Sequence, residues 1–191
     1  MRGRPGNGPV YRDGFTRCLT KMRNIIILGL VLFVAGCATR YESVPDGYEG
    51  LTSIIKDSAK RIDNGKVNFF YLSQVDGKEI EDSAWLSRVA SSGKGSNLTI
   101  VLNENEVTSE VHKFIIIGRS THAVPARSLV DTVYEIKGEF EFSPIPSEVY
   151  EIKGSLTEQG STVWIEHSSS GNVIKKFEIQ GSTALGVFQK M

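Results

Sequence analysis

One hexapeptide occurs twice in this chain. VYEIKG fills positions 133–138 and returns at 149–154. Apolar and charged residues alternate through both copies. Tyr134, Ile136, Phe140 and Phe142 fall on one side, with Glu135, Lys137, Glu139 and Glu141 on the other. Tyr150, Ile152 and Leu156 likewise oppose Glu151 and Lys153. Strict period two, apolar on one face and charged on the other, suits antiparallel sheet with one wet face and excludes a helix. The SPIPS turn at 143–147 separates the copies, so residues 133–156 are expected to form a long hairpin. Two copies of six residues are no solenoid; the repeat reads as two strands meeting one packing problem.

The same signals recur along the chain. Residues 51–56, 67–75, 98–102, 111–119, 162–167 and 173–179 are rich in β-branched and aromatic residues and read as strands. Asp76-Gly77 is a hairpin turn, because both central residues of a type I′ turn need positive φ. Residues 57–66 and 103–110 read as polar turns, 120–132 as a long connection, and 83–91 as a single helical turn. Residues 181–191 are a tail or an edge strand. The expected fold is all-β, an antiparallel sandwich of about 7–9 strands over residues 51–180.

Ahead of this domain lies a different composition. Arg17, Lys21 and Arg23 precede an apolar run from Ile25, which ends at Val34-Ala35-Gly36-Cys37. Basic flank, apolar run and small-residue cleavage site make a secretory signal peptide. As a helix the run would reach only roughly 16 Å, against a hydrocarbon core of roughly 30 Å. Residues 1–21 are rich in Gly and Pro and read as coil; we expect either a long basic flank or a start codon placed upstream of Met22.

Val34-Ala35-Gly36-Cys37 resembles the lipobox of bacterial lipoproteins. The resemblance implies cleavage between Gly36 and Cys37 and a Cys37 carrying acyl chains that hold the protein to the membrane. It implies a tether at 37–50 and, since Ala38 and Thr39 stand where an Asp retains inner-membrane lipoproteins, an outer-membrane site facing the periplasm. Two or more acyl chains give stable attachment. The segments DGYEG (46–50), IKDS (55–58), VDG (75–77), FSPIP (142–146), YEIKGSL (150–156) and VWIE (163–166) resemble a group of small bacterial lipoproteins of undefined role, over most of residues 45–180. The rhythm of glycines and strands is similar to immunoglobulin-like and transthyretin-like domains, by fold analogy alone.

Whole-chain charge is zero, with 22 basic and 22 acidic residues, but the leader holds six of the bases and a single acid. Residues 37–191 therefore carry 16 basic and 21 acidic side chains. Such a surface repels phosphate backbones, so no nucleic acid is expected as partner. With Cys18 in the leader and Cys37 acylated, no disulfide or free thiol remains.

No catalytic motif stands out and no cofactor is expected. His112, His122 and His167 lack metal-ligand spacing. There is no G-x-S-x-G elbow; Ser58, His122 and Asp131 supply the residue types of a triad without its pattern. SGKGS at 92–96 lacks the phosphate-loop spacing and reads as a flexible connection. Glu104, Glu106 and Glu110 cluster hard oxygen ligands but lack the EF-hand pattern, which favours a solvated acidic turn. Trp164 falls on the outer face if Val163 and Ile165 point inward. It is then either a partner surface or covered by the 181–191 tail. The expected function is a lipid-anchored, non-enzymatic interaction module with an envelope partner. A hydrolase of envelope polymers, with a polar pocket near His122 or Asp131, is the alternative; a small-ligand or metal-binding module is the third reading.

Overall fold

The computed structural model describes residues 43–190. Ten strands, β1 (Thr52–Lys56), β2 (Ser58–Arg61), β3 (Lys66–Val75), β4 (Lys78–Glu79), β5 (Glu104–Thr108), β6 (His112–His122), β7 (Glu135–Phe142), β8 (Val149–Leu156), β9 (Gly160–His167) and β10 (Val173–Gln180), form two sheets. Sheet I has the order β10-β9-β8-β1-β5; sheet II has β2-β3-β6-β7, with β4 also on β3. Helices α1 (Ser83–Ala90) and α2 (Pro125–Val130) lie between strands in the chain. The expected all-β sandwich of two sheets is present, with ten strands where about 7–9 were expected, β2 and β4 being the short additions.

The sheets face each other across an aromatic and aliphatic core that includes Ile55, Phe70, Leu72, Phe114, Ile116, Tyr150, Ile152 and Ile165. Phe70 sits at its centre. Gly118 of sheet II faces its ring, and a Cβ there would lie 3.0 Å from Phe70 Cδ1. Gly154, the last residue of the second VYEIKG copy, faces the same ring from sheet I. A Cβ on Gly138, the matching residue of the first copy, would meet Phe177 Cβ at 3.1 Å. The repeated glycine thus answers one demand in both places: an aromatic residue packed against bare backbone.

The hairpin expected over 133–156 does not form. β7 pairs with β6 in sheet II, whereas β8 pairs with β9 and, in parallel, with β1 in sheet I. Residues 143–148 cross between the sheets. Pro144 and Pro146 cannot donate ladder hydrogen bonds. The crossing is pinned instead by Tyr150 Oη, which accepts the Ile145 N–H (2.8 Å), and by Ser53 Oγ, which donates to Ile145 O (2.6 Å). The parallel pair also breaks the antiparallel pattern expected throughout.

The polar residues of 103–110 form edge strand β5 rather than a turn. Glu104 and Glu106 stand opposite Lys56 and Ile54, with Val107 turned into the core. Residues 58–61, expected as turn, form β2, and the connection at 120–132 holds the end of β6 and α2. At Asp76-Gly77 both residues have positive φ, 51° and 78°, as expected.

Sheet II is buried on its outer face too. Val67, Phe69 and Tyr71 of β3 pack there with Ala84 of α1 and Leu98. α1 is two turns long, capped by the Asp82 carboxylate, which accepts the Trp85 N–H (2.7 Å). Residues 98–102 are extended but form no strand. Alternate N–H groups from Thr99 to Asn103 go to serines of α1 and its C-cap: Thr99 N–H to Ser91 Oγ, Val101 N–H to Ser87 Oγ and Asn103 N–H to Ser83 Oγ, each 2.8 Å. Hydroxyls at i, i+4 and i+8 line one helix face and replace a neighbouring strand.

Of the tail or edge strand expected at 181–191, residues 181–190 form no regular strand. This segment crosses from sheet I to sheet II, where Tyr134 bridges Ala184 and Glu135 N–H donates to Thr183 O (3.1 Å). The signal peptide expected at 22–36, the extension at 1–21, Gly36 and Cys37 lie outside the described residues. Among the described residues no helix is long and apolar enough to cross a membrane.

Candidate functional site

A cleft of about 540 Å³ opens on the outer side of sheet II. Its floor is the end of β6 (Arg119, Thr121, His122) with Tyr71 of β3 beneath. α1 supplies one wall through Ala84 and Arg88, α2 the other through Ser128 and Leu129, and Lys190 closes the end. Proline at the first position of α2 presets its φ for a helix. Lys190 Nζ donates to Asp131 O (2.7 Å) and Lys66 Nζ to Thr132 O (2.8 Å), so ammonium groups bind the carbonyls that follow α2.

The charged residues of the lining are Arg88, Arg119, Lys190 and one carboxylate, Asp82. Arg119 is engaged, with Nη1 2.6 Å from Glu135 Oε2. Arg88 has no carboxylate partner among the described residues, and its guanidinium lies over the Trp85 ring at 5.6 Å from the centroid. Burial of Tyr71 raises its pKa beyond that of an ordinary phenol, so it stays protonated. Burial, then the charge of Lys66, pushes His122 below the usual imidazole range, against the opposing pull of Asp131. His122 is therefore a neutral ring at neutral pH.

His122 and Asp131 come together as the sequence suggested, but Ser58 does not join them. Ser58 Oγ donates to Ile152 O at the junction with sheet I. Ser128 takes the place beside the ring, with Oγ 3.4 Å from His122 Nδ1. On the other side Asp131 Oδ2 lies 3.3 Å from Nε2, within ion-pair distance yet out of hydrogen-bonding direction, and Nε2 is buried without a hydrogen-bond partner. A nucleophile and base working together stand about 2.6–3.2 Å apart. Ser128, His122 and Asp131 are looser on both sides.

A tighter arrangement lies elsewhere. Asp76 Oδ2 is 2.6 Å from His112 Nδ1, and Thr108 Oγ1 is 2.7 Å from His112 Nε2. Thr108 is only 4 % exposed, and none of the three residues lines the cleft. This group ties the Asp76-Gly77 turn to β5 and β6 and is built for stability. The third histidine, His167, stacks beside Tyr150 with ring centroids 4.7 Å apart.

Trp164 is half-buried on the outer face of sheet I. Its Nε1 donates to Glu166 Oε2 (2.6 Å), and Lys153 Nζ holds the other Glu166 oxygen (2.7 Å). The Lys153 and Trp164 bonds lower the Glu166 pKa. The tail does not cover Trp164, since it pairs with sheet II. Glu104 is bound to Lys56 (2.8 Å) and Glu106 accepts from Thr52, so both carboxylates serve the β1–β5 pair. Among the described residues no three His, Cys, Asp or Glu side chains converge on a metal-sized site.

Reading residue types found His122 and Asp131 but missed Arg88, Ser128 and Lys190. These come from three separate segments, and only the Trp85/Arg88 spacing on an amphipathic turn signalled any of them. No family model matches the chain, and neither curated proteins nor solved structures provide a match.

Proposed function

We propose that the chain is a lipid-anchored protein of the bacterial envelope, facing the periplasm from the outer membrane, that acts by binding and not by catalysis. The observation that carries the binding half is the cleft over sheet II: it has the volume of a small-molecule site, walls that mix apolar and polar side chains, and a few converging polar groups. The anchored half rests on the lipobox-like Val34-Ala35-Gly36-Cys37 and its basic, apolar leader. We place the sandwich with immunoglobulin-like or transthyretin-like scaffolds, in which a rigid pair of sheets presents a site; the parallel pairing of β1 with β8 departs from the usual arrangement. The outer face around Trp164 is a second surface for an envelope partner.

Labelling cells with an alkyne fatty acid tests the anchor. The wild-type chain takes the label, and Cys37→Ala gives an unlabelled, unprocessed precursor; a processed and labelled variant refutes the anchor.

A hydrolase is the second reading, favoured by the contiguity of Ser128, His122 and Asp131 in the cleft. Its test is an active-site-directed fluorophosphonate. Labelling that disappears in Ser128→Ala establishes the hydrolase and overturns the binding reading; an unlabelled wild-type protein supports binding.

A further inference from the structure

We infer that the cleft takes a small organic carboxylate, with Arg88 as its charge partner. This rests on the reading of the cleft as a binding site and adds the chemical class of what binds there.

Three observations carry it. First, the described cations of the cleft differ in how far they are already engaged. The Arg119 guanidinium bonds to Glu135, and the Lys190 ammonium bonds to Asp131 O. Arg88 keeps its planar fork of donors unshared by any carboxylate among the described residues, and stacking on Trp85 restrains where that fork points. A single free guanidinium matches a carboxylate, which it can bind through two parallel N–H···O bonds. A phosphate dianion calls for more uncommitted charge than this.

Second, the floor holds a polar group left without a partner. His122 is 3 % exposed and lines the cleft, and its Nε2 makes no hydrogen bond, although the Asp131 carboxylate stands 3.3 Å away out of hydrogen-bonding direction. A buried ring nitrogen in that state is destabilising, and a ligand group reaching it would relieve the cost. On the other side of the ring Ser128 Oγ lies 3.4 Å from Nδ1 as a further donor or acceptor. The ligand therefore has a polar function at some distance from its carboxylate.

Third, Ala84, Leu129 and Val133 line the same space. They form an apolar bed for a carbon skeleton, which a bare inorganic anion would not use. The lining also holds one carboxylate, Asp82, whose oxygen is committed to the α1 N-cap by the Trp85 N–H, so Arg88 remains the group that selects a negative ligand.

The test uses the full acylated chain in lipid nanodiscs, with Trp164→Phe leaving Trp85 as reporter, and benzoate, benzamide and inorganic phosphate as probes. Calorimetry runs in parallel, because Arg88 variants themselves change the Trp85 environment. Benzoate should give saturable binding, with benzamide and phosphate each at least about tenfold weaker. Arg88→Gln should weaken benzoate at least about tenfold without shifting the melting temperature, and Arg88→Lys, which keeps charge but not the fork, should fall between. Equal binding of benzoate and benzamide, phosphate matching benzoate, or an Arg88→Gln protein that binds benzoate as the wild type does, each overturns the inference. So does a protein silent to benzoate. Silence to benzoate together with a crosslink captured in cells from the cleft removes the carboxylate class alone; silence with no such crosslink removes the cleft reading as well.

Discussion

Ser87 Oγ accepts the Val101 N–H at 2.8 Å and donates to the Val101 carbonyl at 3.1 Å, so one side chain satisfies both backbone groups of a residue on another segment. Ser87 is fully buried. Ser87→Ala leaves both backbone groups of Val101 without this partner. We expect a loss of about 1–3 kcal/mol, read as a lower urea midpoint at unchanged m-value. Because α1 forms a wall of the cleft, the same variant should bind cleft ligands more weakly; a stability change below about 0.5 kcal/mol would contradict the serine ladder as a fastening.

Asp57 marks the corner where the chain leaves sheet I for sheet II. It is buried, accepts the Leu72 N–H (3.0 Å) and is bonded by Ser83 Oγ (2.5 Å). Burial, only partly offset by these bonds, raises its pKa to about 7. The unfolded carboxyl ionises near 3.8. Between these values the folded chain holds a proton that the unfolded chain has released, so stability falls as pH rises from about 4 to about 7. Asp57→Asn should remove this slope and raise the melting temperature at pH 8 relative to wild type. Parallel pH profiles for the two proteins would refute the assignment.

Phe70 links the two sheets through Gly118 and Gly154. A methyl group at Gly154 would also meet Thr162 O at 2.6 Å. Gly154→Ala should therefore cost about 1–3 kcal/mol by overpacking. Phe70→Leu in the same chain should recover part of that loss, giving a non-additive double-mutant cycle in chemical denaturation. Strict additivity would show that the glycine does not serve the ring.

Legibility followed the range of the interactions. Asp76-Gly77 and the alternation in VYEIKG were readable because turn dihedrals and strand faces depend on neighbours in sequence. Which sheet each strand joins was not, since Gly138 and Gly154 sit in identical hexapeptides and meet Phe177 in one case and Phe70 in the other. Residues 98–102 looked like a strand and are extended, yet their partners are serines; the clue was the spacing of four between Ser83, Ser87 and Ser91. The acidic segment 104–108 looked like a turn because its Glu side chains hid the inward Val107. At the site, His122 and Asp131 could be picked by chemistry, but nothing local joins Arg88 to Ser128 or Lys190. Only the packing of α1, α2 and the tail on β6 does so.

The central claim is that binding occurs over sheet II. Photo-crosslinking of the full chain in living cells tests it most directly, with p-benzoylphenylalanine at Ala126 on the cleft or at Lys176, which pairs with Trp164 on the far sheet. Adducts from Ala126 that are lost in Arg88→Gln are the predicted result. Adducts from Lys176 alone, with none from Ala126, would contradict it and move the binding face to Trp164.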